Sequence, residues 1–178
     1  RDHLTVIEGE LPVLVGLSRP DQATAIGAGW AGLTTSLHQH GDVIADVGRL
    51  SPGAPSLGAA LASDITLFVV RPGVENYGHL RERLSWIIAE TSRRSEQARL
   101  GILLIAPWKV RHEAEDLTRL LRGSNLEVPV VGVLALDPGA ADSLAGRQAR
   151  PLGRTLLVRS ARTVATALAG VVANGGAR

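Results

Sequence analysis

The sequence lacks several residue types that common functional sites need. Its 178 residues include no cysteine, no methionine, a single lysine (Lys109) and only 3% aromatic residues. Without cysteine, the chain cannot carry a disulfide framework, a thiolate zinc site, an iron–sulfur cluster or a cysteine nucleophile. The phosphate-binding loop G-x-x-x-x-G-K-[ST] requires a lysine, and Lys109 lies between Trp108 and Val110, so the sequence contains no such loop. Because the chain starts at Arg1 rather than at a methionine, we expect a further segment before it.

Charge is distributed unevenly along the chain. Nineteen basic and 17 acidic residues give a net charge of +2, but residues 1–90 carry 6 basic and 10 acidic residues, whereas residues 91–178 carry 13 and 7. No acidic residue follows Asp142, although six arginines do. This basic region indicates either an anionic partner or a solvated helix face, and the second interpretation is the commoner one. A nucleic-acid partner is therefore only a weak alternative.

Short apolar runs alternate with segments of helical periodicity. Runs bounded by turn residues are typical of strands buried on both faces, as in parallel sheets. These runs are residues 12–15, 43–45, 65–70, 102–105 and 128–134, with 4–7 as a further short edge strand. Helical stripes cover 26–37, 80–88, 117–121 and 157–171, and a short helix is expected within 55–62. Trp86 lies off its stripe, so we expect it to be partly exposed and a candidate interface residue. The pattern predicts a single α/β domain over residues 1–178, with a mostly parallel sheet flanked by helices.

No uncharged apolar stretch reaches 18 residues, so we expect no membrane-spanning segment. Gly27–Gly32 matches G-x-G-x-x-G, but it lies inside a helical stripe rather than between a strand and a helix, which argues against a dinucleotide site.

The carboxyl ends of parallel strands are where such sheets bind ligands. The predicted strand exits are residues 16–19, 46–49, 71–73, 107–109 and 136–138. Several carry a cation and two carry an aspartate, which suits an anion accompanied by a divalent metal. Loops of this kind also contain glycine, proline and aspartate for reasons of turn geometry alone, and both interpretations stay open.

The most informative segment is Asp-Val-Ile-Ala-Asp-Val-Gly-Arg at residues 42–49. A strand that ends in Asp46, with Gly48 two residues later, resembles a Walker B segment. A carboxylate at a strand tip can hold Mg²⁺ against nucleotide phosphates, and glycine lets a backbone N–H approach a γ-phosphate. Asp46 is therefore our candidate catalytic residue and metal ligand.

The order of segments over about residues 40–170 resembles the MinD/ParA family of P-loop ATPases. The segment 42–49 is followed by the strand 65–70, a strand beginning at Gly101 and the strand 128–134, after which comes Asp137. The CpaE/TadZ branch, associated with pilus assembly and septum placement, is the most similar. The resemblance implies the C-terminal part of such an ATPase, with the P-loop upstream of Arg1. It also implies that Gly48 senses the γ-phosphate, that Arg49 contacts phosphate or a partner subunit, and that Asp137 lies at the base pocket.

The resemblance implies ATP and Mg²⁺ as cofactors, both dependent on the upstream segment, so that this chain alone is expected to be inactive. It further implies a homodimer in the cytoplasm, peripheral at the membrane through protein partners of a larger machine. The family's asparagine after the strand at Gly101 is replaced here by Ala106-Pro107-Trp108. Trp108 is therefore a candidate to stack on the base, and loop packing is the alternative interpretation.

Two other functions stay open. One is a degenerate, nucleotide-free ATPase-like scaffold, which the lone lysine and the altered base pocket favour. The other is an anion-binding α/β domain of receiver or flavodoxin type.

Overall fold

The computed structural model describes residues 4–7, 11–17, 19–27, 29–39, 41–94, 98–148 and 151–173. The chain divides into two units, Arg1–Ala62 and Ser63–Arg178, and each is described by itself. The single domain expected from the sequence stays a prediction.

The first unit begins with a two-stranded antiparallel hairpin. Strand β1 (Leu4–Ile7) pairs with β2 (Leu11–Leu14), so that Leu4 faces Leu14 and Ile7 faces Leu11. The expected strand at residues 4–7 is confirmed. The expected strand at 12–15 is present one residue earlier, but it is antiparallel and largely exposed rather than part of a buried parallel sheet. Three residues separate the strands, which is enough for a hairpin and far too few for a parallel crossover.

Three helices complete the described part of the first unit: α1 (Pro20–Ile26), α2 (Gly29–His38) and α3 (Leu57–Leu61). The apolar stripe over 26–37, expected as one helix, is divided between α1 and α2. The indole N–H of Trp30 joins them by donating to the carbonyl of Ala23 at 2.9 Å. The short helix expected within 55–62 is α3, which packs against α2.

The prediction of a strand at residues 43–45 is wrong. Residues 42–47 have no regular secondary structure, and within the described part of the chain they pair with no strand. Ile44 is fully exposed and Val43 is 43% exposed. The run is apolar enough for a strand, but a strand also needs the backbone of a neighbour, and local sequence does not report whether one is present.

The second unit contains a three-stranded parallel sheet. Strands β3 (Thr66–Val70), β4 (Leu100–Ala106) and β5 (Val130–Ala135) lie in the order β3-β4-β5. Helix α4 (Val74–Arg94) connects the first two strands and α5 (Glu113–Gly123) the next two, and α6 (Pro138–Leu144) and α7 (Leu156–Ala173) follow. The predicted strands at 65–70, 102–105 and 128–134 are confirmed to within two residues. The predicted fold class, a parallel sheet flanked by helices, is confirmed as well.

The core of the second unit lies between this sheet, α4 and α5. The buried residues of α4 recur at helical spacing, as the sequence predicts. The core side chains include Tyr77, Leu80 and Leu84 of α4, Ile102 and Leu104 of β4, and Leu117 and Leu121 of α5. Trp86 is half-buried, which confirms the expectation that it is partly exposed. Helix α5 ends at Gly123, and Asn125 then adopts φ 57°, as its position after a helix predicts.

Helix α7 docks on β5 through its first half. Ser160 and Val164 are its buried residues, and Gly132 of β5 permits the approach: a Cβ atom there would lie 2.7 Å from Val164 Cγ2. The second half is apolar but exposed, with Val171 at 39%. The apolar stripe expected over residues 157–171 is therefore buried mainly in the first half of the helix.

By length and composition alone, α7 is apolar enough to cross a membrane, and it is the one such helix among the residues described. Only 11% of the residues of this helix are buried. It nevertheless contains Arg159 and Arg162, and its contacts with β5 assign its first half to the sheet. The same length and composition criterion is met by helices that never enter a bilayer.

Candidate functional site

The candidate metal ligand Asp46 lies in a tight turn of the first unit. Its Oδ1 accepts a hydrogen bond from the backbone N–H of Gly48 at 2.9 Å, which is an Asx turn. Gly48 has φ 63°, a backbone conformation that glycine adopts without steric cost. The Ser56 hydroxyl donates to the carbonyl of Val47 at 3.1 Å and so ties the turn to the start of α3. Asp46, Gly48 and Arg49 are therefore neighbours in one exposed turn.

Asp46 belongs to no larger cluster of metal-ligand side chains within the described residues. Within the described ranges, no group of three or more histidine, aspartate or glutamate side chains is placed to hold a metal ion. Mg²⁺ is usually bound through one or two carboxylates together with substrate phosphates and water. A single exposed carboxylate fits that mode and does not fit an all-protein cage. The residues present would therefore hold Mg²⁺ only together with a bound phosphate group.

The second unit presents the carboxyl ends of its three strands along one edge. The exits of β4 and β5 are joined by the backbone N–H of Leu136, which donates to the carbonyl of Ala106 at 2.8 Å. Trp108 follows β4 in a short 3₁₀ turn, Trp108–Val110, and Asp137 follows β5. The structure thus brings two of the predicted base-pocket residues to adjacent strand exits, as the parallel topology predicts.

Asp137 has a structural partner at its strand exit. Its Oδ1 accepts from the backbone N–H of Ala140 at 3.1 Å, which makes it the N-cap of α6, and Pro138 follows at the first helical position. An aspartate at the N-cap and a proline at the first helical position are both typical of helix starts. Helix α6 was not predicted, although Asp-Pro at residues 137–138 is a signal that would have found it.

Trp108 is paired with a cation. The guanidinium of Arg111 lies over the indole, 5.5 Å from the ring centroid, within the range of a cation–π interaction. Arg111 also donates from Nη1 to the carbonyl of Trp108 at 3.3 Å. The hydrogen bond keeps Arg111 beside the ring, which is 43% exposed.

Ser160 of α7 positions the end of β5. Its buried hydroxyl accepts from the backbone N–H of Ala135 at 2.9 Å and donates to the carbonyl of Leu157, also at 2.9 Å. Ala135 is two residues before Asp137. This N–H points away from β4 and so has no hydrogen-bond partner within the sheet. The Ser160 hydroxyl provides that partner. The sequence contains no local signal for this contact.

A second contact that sequence reasoning missed joins α4 and α5 near their starts. The buried Tyr77 hydroxyl donates to Glu113 Oε2 at 3.0 Å. Burial raises the pKa of Tyr77 above its ordinary value, and the hydrogen bond and negative charge of Glu113 raise this pKa further. Extending the α4 stripe three residues backwards from Leu80 would have found Tyr77, but not its partner.

No protein-family model matches the sequence, and no curated protein sequence matches it. Among solved structures, the chain is similar to the septum site-determining protein MinD from Pyrococcus horikoshii OT3, which was determined in complex with Mg-ADP. The match covers 96% of this chain and 70% of that chain, with a TM-score of 0.61 and 14% sequence identity.

The chain has a MinD-like fold. At 14% identity, the similarity establishes the fold alone and leaves the chemistry to the residues themselves. The family resemblance inferred from the order of segments agrees with this fold. The CpaE/TadZ branch and the roles of Asp46, Gly48, Arg49, Trp108 and Asp137 stay predictions.

Proposed function

We propose that this chain is part of a MinD/ParA-like ATPase that acts as a nucleotide-dependent dimerisation switch. The process it serves would be the positioning or assembly of a pilus, secretion, division or partition system, with partners in a membrane-associated machine. The observation that carries the proposal is the MinD-like fold, which extends over 96% of the chain. A cytoplasmic homodimer, peripheral at the membrane through its partners, is the form we expect.

The turn at residues 46–49 supplies the switch in this proposal. Asp46 would hold Mg²⁺, and the Gly48 N–H would contact the γ-phosphate. That N–H is donated to Asp46 Oδ1 in the structure, so the γ-phosphate contact requires Asp46 to release it. The two residues therefore change partners together. Arg49, exposed at the end of the turn, then contacts phosphate or the second subunit.

Phosphoryl transfer requires positioning and charge stabilisation rather than covalent chemistry from the protein. Bound Mg²⁺ would neutralise charge that develops on the phosphate oxygens. Lys109 is the only lysine and is not part of a G-K-[ST] sequence, so a phosphate-binding lysine of that type has to come from outside these 178 residues.

The test is Mg-ATP binding and hydrolysis by the full-length protein, comparing Asp46→Asn with Asp42→Asn. Both are exposed carboxylates of the same irregular segment, and the asparagine at position 46 can still accept from Gly48. We expect Asp46→Asn to lower ATP turnover by about a hundredfold or more, because it removes the negative charge that would bind Mg²⁺, an ion whose charge stabilisation is worth several kcal/mol. Asp42→Asn should leave turnover unchanged. Equal turnover in both variants would contradict the assignment of Asp46 as a metal ligand.

The dimerisation switch is tested separately by measuring the molar mass in solution. We expect light scattering to report a dimer with ATP and a monomer with ADP, and Asp46→Asn to reduce the ATP-dependent dimer. A mass that does not respond to nucleotide would contradict the switch.

A nucleotide-free scaffold is the second candidate function. The observation that favours it is the strand exit at β4, where an exposed tryptophan paired with Arg111 replaces a hydrogen-bonding side chain. It predicts that the full-length protein binds neither ATP nor ADP at millimolar concentration.

A further inference from the structure

Trp108 is the one exposed aromatic residue of the chain. All five aromatic residues lie in described positions, and the other four are buried or half-buried. The turn that carries Trp108 is anchored from the core side, because the half-buried side chain of Val110 packs against the core cluster. The backbone N–H of Val110 also donates to the carbonyl of Pro107 at 2.9 Å. The indole is therefore presented to solvent by a short turn whose backbone is held in place.

Basic side chains accompany the indole on this turn. Residues 107–112 include Lys109, Arg111 and His112 and no acidic residue, and all three basic side chains are exposed. The guanidinium of Arg111 lies 5.5 Å from the centroid of the Trp108 ring. Among the residues that the structure describes, none of the three belongs to an ion pair. Their hydrogen-bond donors are therefore available to an anionic partner.

The positive charge covers only one turn of the chain. Glu113, Glu115 and Asp116 follow directly and form the first turn of α5. A nucleic-acid strand presents a continuous row of phosphate charges, and an anionic bilayer presents a charged plane. Either of them would bring negative charge close to these three carboxylates, which repel it. A short segment with a few carboxylates can contact the basic side chains alone, so the charge pattern favours a peptide as the partner.

Apolar surface is also exposed beside the basic side chains. Leu136 follows β5 and is 41% exposed, and its backbone N–H donates to the carbonyl of Ala106, two residues before Trp108. Tryptophan and arginine are enriched among the residues that dominate protein–protein binding. Charged groups around such an apolar centre select a partner of opposite charge. The combination suits a peptide that carries an apolar side chain between carboxylates.

We propose that Trp108, Lys109, Arg111, His112 and Leu136, which we name the Trp108 patch, dock a short acidic segment of a partner protein. The apolar side chain of that segment contacts the indole and Leu136, and its carboxylates accept hydrogen bonds from the basic side chains. The inference goes beyond the proposed nucleotide switch and does not rest on it, because none of these residues belongs to the turn at residues 46–49.

The experiment is a fluorescence-polarisation titration of the full-length protein with two labelled peptides of equal length. The acidic peptide is Glu-Asp-Glu-Leu-Phe-Asp-Glu-Glu, and its uncharged control is Gln-Asn-Gln-Leu-Phe-Asn-Gln-Gln. We expect only the acidic peptide to bind, with an affinity that falls as the salt concentration rises. Failure of the acidic peptide to bind at millimolar concentration, or equal binding of the uncharged peptide, would overturn the inference.

Variants of the patch identify the residues that bind the peptide. Trp108→Ala and Arg111→Ala should each weaken binding of the acidic peptide by about tenfold or more, and Trp108→Phe should retain most of the affinity. Arg119→Ala is the matched control, since Arg119 is an exposed arginine of α5 that pairs with Asp116. It should change the affinity by less than about twofold. Equal effects of Arg111→Ala and Arg119→Ala would mean that only general charge attracts the peptide, which contradicts a defined docking site.

Two competition measurements test the other occupants. If single-stranded oligothymidylate binds more tightly than the acidic peptide and displaces it, the patch is a nucleic-acid site and the inference is overturned. If Mg-ATP displaces the peptide and Trp108→Ala weakens both ligands equally, the indole belongs to the nucleotide site, so the inference fails while the proposed function stands. If the acidic peptide binds but neither ATP nor ADP does, the proposed function fails and the inference stands.

Discussion

Replacing Gly132 by alanine should force α7 away from β5. The added Cβ would lie 2.7 Å from Val164 Cγ2, which is too close, and 3.7 Å from Val164 Cβ, which is an ordinary contact. Valine has little rotamer freedom in a helix, and overpacking of this kind costs about 1–3 kcal/mol. Alanine also makes the unfolded chain less flexible than glycine does, which stabilises the folded protein by roughly 0.4–1 kcal/mol. We expect Gly132→Ala to lower the free energy of unfolding by about 1–2 kcal/mol.

The cause can be isolated with a double-mutant cycle. Val164→Ala alone removes two buried methyl groups at about 0.8 kcal/mol each and should cost about 2 kcal/mol with its cavity. Once those methyl groups are gone, an alanine at position 132 fits, so the double variant should be about 1–2 kcal/mol more stable than the sum of the two single effects predicts.

The measurement is urea denaturation followed by far-ultraviolet circular dichroism. Gly78→Ala is the matched control: Gly78 lies inside α4 with no atom within 4 Å of an added Cβ, so the same change should stabilise the protein by up to about 1 kcal/mol. If the two single changes are additive within about 0.5 kcal/mol, contact between Gly132 and Val164 does not limit the docking of α7.

Three further changes have defined outcomes. Ser160→Ala leaves the Ala135 N–H buried and unpaired, so urea denaturation should show a loss of about 1–3 kcal/mol; a loss below about 0.5 kcal/mol would contradict that role. Asn125→Gly should raise the melting temperature and Asn125→Val should lower it, because only the first substitution suits φ 57°; equal melting temperatures would refute this. Tyr77 has a raised pKa, so its stabilising effect is complete at neutral pH and is lost as the pH rises above about 10. Tyr77→Phe should therefore lose less stability between pH 7 and pH 11 than the parent protein, and an identical loss would contradict the assignment.

The sheet of the second unit was predictable because its strands are buried on both faces. Residues 65–70 and 102–105 are continuous apolar runs, and burial against helices on either side requires such runs. The run at 43–45 is also apolar but forms no strand. Pairing depends on which backbone lies alongside, and that information is not contained in the run itself.

The candidate site was predictable only where its contacts are local or follow from topology. Asp46 and Gly48 are two residues apart, so their turn can be inferred from the sequence. Trp108 and Asp137 were expected at strand exits, and the exits of adjacent parallel strands lie at one edge of a sheet. The bond from Ala135 to Ser160 spans 25 residues and depends on how α7 is rotated on the sheet, for which no local pattern exists.

The indole of Trp30, hydrogen-bonded to Ala23, gives the first unit an intrinsic spectroscopic label. Trp86 and Trp108 both belong to the second unit, so a variant with phenylalanine at these two positions emits from Trp30 alone. Its fluorescence then reports the unfolding of residues before Ser63, while ellipticity is dominated by the longer helices after it. Coincident transitions would mean that the two units unfold cooperatively as one domain, and separate transitions would mean that each has its own stability.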